Sequence, residues 1–195
     1  MRYFVLHKPP GMVSQFVSRD DVSLLGDVRF DFPPGIHAIG RLDAASEGLL
    51  LLTTDKRITR LLFQGPIPHR RVYLVRVKGL VQPETLQRLS AGLLLTGRKQ
   101  ADYLTRPCTV ELVEKPAWVE DHPKHPGFAA HSWLLIGLEE GRYHQVRKMV
   151  MAVGHRCQRL IRVSIEGLAL DGLPPGGVRE VPAGEFFSRL RLAVK

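Results

Sequence analysis

One guanidinium and one carboxylate stand two residues apart in Gly40-Arg41-Leu42-Asp43-Ala44-Ala45-Ser46-Glu47-Gly48, directly before the run Leu49-Leu50-Leu51-Leu52. A four-leucine run bounded by Gly48 and Thr53-Thr54 reads as a short buried strand, so Asp43 sits in a turn at the edge of the core. Such an acid is only partly hydrated, a setting for a nucleophile or a base. A second chemical cluster is Glu140-Gly141-Arg142-Tyr143-His144-Gln145-Val146-Arg147-Lys148-Met149. There Val146, Met149, Val150 and Val153 repeat at helical spacing, and Arg147 falls at the margin of that apolar stripe, where a cation reaches inward. The third is Arg71-Val72-Tyr73-Leu74-Val75, an alternating stretch that sets Tyr73 on the face opposite Val72 and Leu74.

Taken in order, these three segments resemble the signature motifs of the pseudouridine synthases, in the branch that includes the RsuA-type ribosomal RNA enzymes. The resemblance covers nearly the whole chain. It implies that Asp43 is catalytic, that Arg147 pairs with it, and that the Tyr73 ring packs on the target uracil while its hydroxyl assists proton removal from the base. A cation beside a part-buried carboxylate offsets the cost of carrying charge there. Arg41 is implied either as the wedge that fills the space of a flipped base or as a phosphate contact. Arg71 stands where the family more often has lysine, and Ala44 and Ala45 where relatives are commonly polar. Glu111 to Trp118, with no appended RNA-binding domain, resembles the compact members acting on 23S ribosomal RNA.

Composition fits that expectation. Lys and Arg total 28 against 19 Asp and Glu, a formal net charge of +9 that favours a polyanionic partner. Lys8, Arg71, Arg142, His144, Lys148 and Arg159 are the candidates to line an RNA track beside Arg41, with Arg156 and Arg162 as further cations. Cys108 and Cys157 lie far apart, without zinc or disulfide spacing, which suits a reducing cytoplasm. No phosphate-binding glycine loop, metal-ligand cluster or paired-acid motif occurs, so no cofactor is expected. His122 and His125 read as members of a solvated surface loop. The N-terminus lacks the apolar length of a signal peptide, no run suits a membrane span, and the chain is expected to act as a monomer. The competing functions are a noncatalytic RNA-binding or ribosome-assembly protein on the same fold, and a metal-dependent phosphodiesterase.

The elements that must position these groups follow from pattern. Strands are expected at Tyr3 to Leu6, Met12 to Phe16, Ile36 to Ile39, Leu49 to Leu52, Arg71 to Lys78, Leu104 to Val113, Trp133 to Leu138, Leu160 to Ile165 and Val178 to Val181. Helices are expected at Lys56 to Phe63 with Asp55 as cap, Glu84 to Ala91 between Pro83 and Gly92, Tyr143 to Val153, and Glu185 to Val194. Trp118 to Gly127 reads as an irregular surface insertion. Strands outnumber helices without alternating regularly with them. This predicts an α+β fold: a mixed, mainly antiparallel central sheet with flanking helices, forming a single catalytic domain of residues 1–195 built as two subdomains meeting at a catalytic cleft, with no N-terminal accessory domain.

Overall fold

The computed structural model describes residues 1–65, 67–96, 101–121, 125 and 129–193. The first half of the chain forms β1 (Tyr3–Lys8), β2 (His37–Ile39), β3 (Glu47–Thr53), α1 (Ile58–Phe63), β4 (Arg71–Lys78), α2 (Pro83–Ala91) and β5 (Leu94–Leu95). The remainder forms β6 (Tyr103–Leu104), β7 (Thr109–Val113), β8 (His131–Leu138), α3 (Gln145–Ala152), β9 (Cys157–Ile165), β10 (Leu168–Ala169), β11 (Val178–Glu180) and α4 (Ala183–Arg189). The α+β class expected from the pattern is the one observed. The chain divides into two compact units, Met1–Arg71 with Ile161–Lys195, and Val72–Leu160.

In the first unit β11, β1 and β3 pair antiparallel, with Phe4 opposite both Glu180 and Leu52. The other edge of β3 takes β2 antiparallel at Leu51–Thr53 and β9 parallel at Glu47 and Gly48. All seven residues of β3 are buried, so both of its faces are covered, which is why it reads as a continuous apolar run rather than an alternation. α4 packs Phe186 against Tyr3, ring centroids 4.5 Å apart.

The second unit holds β4, β7 and β8, the last two antiparallel, with Val110 opposite Ile136. One core joins Val75, Val77, Leu134 and Ile136 of these strands to Leu89 of α2 and Val146, Met149 and Val150 of α3, with Tyr73 packed against it. α2 begins at Pro83, whose fixed φ suits the first helical position, and stops at Gly92 with φ 98°.

Several expectations needed correction. Met12 to Phe16 forms no strand and makes only a parallel bridge from Met12 to Ser23. Leu104 to Val113 is broken at 105–108, because those backbone groups bond elsewhere: Thr105 N donates to Leu93 O and Cys108 N to Ser90 O, each at 2.9 Å. Asp55 accepts from the Arg57 backbone N at 3.1 Å, as a cap would, but it does not stand directly before the helix. Its carboxylate accepts from Arg57 Nε and Nη2 at 2.9 and 2.8 Å, and from the Tyr3 hydroxyl, and α1 starts only at Ile58. α3 likewise starts two residues later than expected, since His144 takes the left-handed conformation with φ 53°. α4 spans Ala183–Arg189, and Val194, the expected helix end, lies outside the described residues. So do His122, Pro123, Lys124, Pro126 and Gly127 of the expected insertion.

Candidate active site

Asp43 lies in the connection between β2 and β3, half-buried, with Ala44 and Ala45 exposed beside it. The turn is closed by Ser46 N donating to Asp43 O at 2.9 Å. Two side chains from the segment after β1 hold it from beneath. Ser14 Oγ donates to Leu42 O and accepts from Leu42 N, both at 2.9 Å, so the residue preceding the carboxylate is fixed at both backbone groups. The Lys8 ammonium donates to Met12 O at 2.7 Å, to Pro9 O at 2.9 Å and to Ala44 O at 3.4 Å. Gly11 N adds a bond of 2.7 Å to the same Ala44 carbonyl.

Lys8 is wholly buried. This corrects its assignment to the RNA track: an ammonium enclosed by three carbonyls is a clamp on the turn, out of reach of a phosphate. Burial pulls its pKa down to about 8, although Glu47 and Asp43 oppose the shift and Arg162 adds to it. Glu47 and Arg162 are themselves buried, and Arg162 Nε donates to Leu49 O at 2.7 Å. A set of buried charges therefore lies behind one half-exposed carboxylate.

Gly48, the hinge into β3, has φ 103°, and a Cβ there would overlap the Arg162 backbone. Only glycine permits this conformation and this approach at once. Arg41 is exposed on the same turn. Arg71 is buried instead of solvated, its Nη1 donating to His69 O at 3.0 Å and its guanidinium 5.3 Å from the Phe63 ring centroid. This again departs from the expected RNA contact, because the group is committed to the interior of its own unit.

In the second unit Tyr73 is half-buried on β4. Arg147 is half-buried on α3, with Nη1 3.6 Å from Cys157 Sγ, and that thiol in turn lies 3.6 Å from Arg159 O. Burial pushes the Cys157 thiol up, the Arg147 charge opposing it. Arg159 Nη1 donates to Glu120 O at 2.6 Å. The turn before α3 is held by Gln145: Arg142 N donates to its Oε1 at 3.0 Å, and its Nε2 donates to Glu140 Oε1 at 2.6 Å. Arg142 lies 4.2 Å over the Tyr103 ring, and Lys148 lies 5.5 Å over that of Tyr143.

Among the described residues no three His, Cys, Asp or Glu side chains gather as metal ligands, and no helix is long and apolar enough to cross a membrane. Sequence reasoning missed Ser14, Glu47 and the supporting role of Lys8. Ser14 carries no signal of its own. Lys8 closes a strand whose six residues are all buried, and that paired strand was the available hint.

A family model described as RNA pseudouridylate synthase matches residues 2–152. The chain is 39% identical over 175 residues to the ribosomal large subunit pseudouridine synthase E of Xanthomonas axonopodis pv. citri, covering 88% of this chain and 89% of that protein. It is 34% identical to the protein of the same name in Vibrio vulnificus, covering 92% and 75%. A crystal structure titled pseudouridylate synthase superposes with a TM-score of 0.76 at 28% identity, over 97% of this chain and 73% of that one.

Proposed function

The chain belongs to the RNA pseudouridylate synthase family, and we propose that it isomerises one specific uridine of large-subunit ribosomal RNA with Asp43 as the reactive carboxylate. In this reaction the bond from the ribose carbon to the uracil nitrogen breaks, the base turns, and a bond to a ring carbon replaces it. The ring carbon gives up its proton, and the ring nitrogen released from the sugar takes one up. Substrate and product have the same atoms, so the balance needs no electron carrier or co-reactant.

The observation that carries the assignment is the support of the Asp43 turn. A half-exposed carboxylate whose preceding residue is fixed at N and O by Ser14, and whose following carbonyl is fixed by Lys8 and Gly11, is held in advance of substrate. Attack on the sugar and removal of its proton both require that group ionised. In this reading Arg147 supplies the matching cation, Tyr73 packs on the uracil, and Arg41 takes the place of the extruded base. Arg142, His144, Lys148 and Arg159 line the RNA track. In this reading the protein acts in the cytoplasm as a monomer.

An Asp43→Asn variant tests the reading. Retained affinity for ribosomal RNA with isomerisation lost supports it, and unchanged isomerisation overturns it. A variant that leaves every cellular role intact would instead favour a noncatalytic RNA-binding protein. Comparing pseudouridine maps of ribosomal RNA from cells with and without the protein names the uridine.

A further inference from the structure

The segment before α3 carries a feature that the isomerisation does not use. Tyr143 is 62% exposed, and its ring lies flat on that of His144, centroids 3.9 Å apart and planes 15° from parallel. Successive residues of a helix point about 100° apart and do not face each other. Here the left-handed backbone at His144 brings the two rings into register. A lone exposed aromatic residue would need no explanation. A flat two-ring stack on a basic surface is a different object.

The cations beside it are unneutralised. Among the described residues neither Arg142 nor Lys148 makes an ion pair, and each rests instead against an aromatic ring, Tyr103 and Tyr143 respectively. The nearby Glu140 makes no ion pair with either cation among the described residues; its Oε1 accepts from Gln145 Nε2 at 2.6 Å and from Arg106 N at 2.9 Å. An exposed aromatic stack with one cation over its tyrosine ring and another in the same segment, neither in an ion pair among the described residues, matches the chemistry of single-stranded nucleic acid: a base has a π-face for the ring and phosphates for the cations. An acidic peptide would satisfy the cations and leave the rings unused.

We propose that Tyr143, backed by His144, is a stacking platform for an unpaired base of the substrate RNA other than the target uridine, with Arg142 and Lys148 holding the adjoining phosphates. The proposal rests on the reading of the substrate as RNA and adds a specificity-determining residue to it. The platform holds a nucleotide by its π-face, so it selects for unpaired structure more than for base identity.

The test is fluorescence anisotropy with a labelled single-stranded oligouridylate of about ten nucleotides. Tyr143→Ser is expected to weaken binding about tenfold, the scale of one lost base stack. Tyr143→Phe, which keeps the ring, is expected to stay within about twofold, and neither is expected to change the salt dependence, because no phosphate contact is lost. Binding by Tyr143→Ser as tight as wild type, an equal loss in Tyr143→Phe, or a loss accompanied by a shallower salt slope overturns the platform. Isomerisation is scored separately. A protein that modifies no uridine yet depends on the Tyr143 ring for binding refutes the assigned reaction and keeps the platform; normal isomerisation with indifferent Tyr143 binding refutes the platform alone.

Discussion

The turn carrying Asp43 and the segment carrying Arg142 to Lys148 both present charge, and they are built in opposite ways. Behind Asp43 the structure buries Lys8, Glu47 and Arg162 and ties Leu42 and Ala44, the residues on either side of it, by their backbones to side chains from a different segment. Around Arg142 the backbone is held by one glutamine, and the cations lie outermost, steadied only by ring faces. The first arrangement fixes one carboxylate at a cost in buried charge. The second keeps several groups adaptable at little cost to folding. The role proposed for Asp43 tolerates little misplacement, whereas the contacts proposed for Arg142 and Lys148 along a flexible strand tolerate much.

If that contrast is right, damage to the Asp43 turn should lower stability and activity together. The largest effect is expected at Gly48→Ala. Its φ of 103° and the absence of room beside Arg162 combine backbone strain with overpacking, and the expected loss is about 3 kcal/mol of unfolding free energy. Urea denaturation measures it, and an unaltered midpoint would mean that β3 can shift away from β9 without penalty.

The buried ammonium of Lys8 gives a pH signature. Its folded pKa of about 8 lies below its ordinary value of 10.5, so the unfolded chain binds the extra proton between those values. Unfolding free energy should therefore rise as pH climbs from about 8 to about 10.5, with Lys8 contributing up to about 3 kcal/mol across that window. Lys8→Met should flatten this part of the profile, as read from urea unfolding at a series of pH values.

Ser14→Ala sharpens the comparison further. It removes one donor and one acceptor from Leu42 at a buried position, with an expected cost of about 2 kcal/mol. Because Leu42 precedes the carboxylate, turnover should fall beyond what the loss of folded protein explains, while the KM for RNA moves little. A fall in stability with turnover per folded molecule preserved would make Ser14 a purely structural residue.

What the chain disclosed of this contrast is uneven. β3 was legible because four leucines between a glycine and two threonines fit only a strand covered on both sides, and α2 because Pro83 and Gly92 mark its ends. Asp43 stood out through likeness to known motifs; physically it is one acid in one turn. The burial of Lys8 and Arg71 was not legible, since a cation at the end or start of a strand looks solvated until the neighbouring strands and carbonyls are in place. The break at 105–108 has the same origin: apolar spacing suggested one strand, while partners near Leu93 and Ser90, distant in pattern, claimed the backbone. Local periodicity reports which face is apolar. It does not report which polar group another segment will satisfy.

The smallest expected effects belong to the exposed cations, and they test whether the second region is as loosely coupled to folding as its geometry implies. Arg142→Ala removes a guanidinium that covers the Tyr103 ring and makes no ion pair among the described residues, so stability should change by only about 0.5 kcal/mol. RNA affinity should nevertheless weaken a few-fold, and the slope of log Kd against log salt should drop by about 0.7 for a single strand, one phosphate contact fewer. Lys148→Ala should do the same, with the two effects additive if each cation meets its own phosphate. Should Arg142→Ala unfold the protein as readily as Gly48→Ala does, the ring contact would prove to be part of the core's support. The two regions would then differ in exposure without differing in kind.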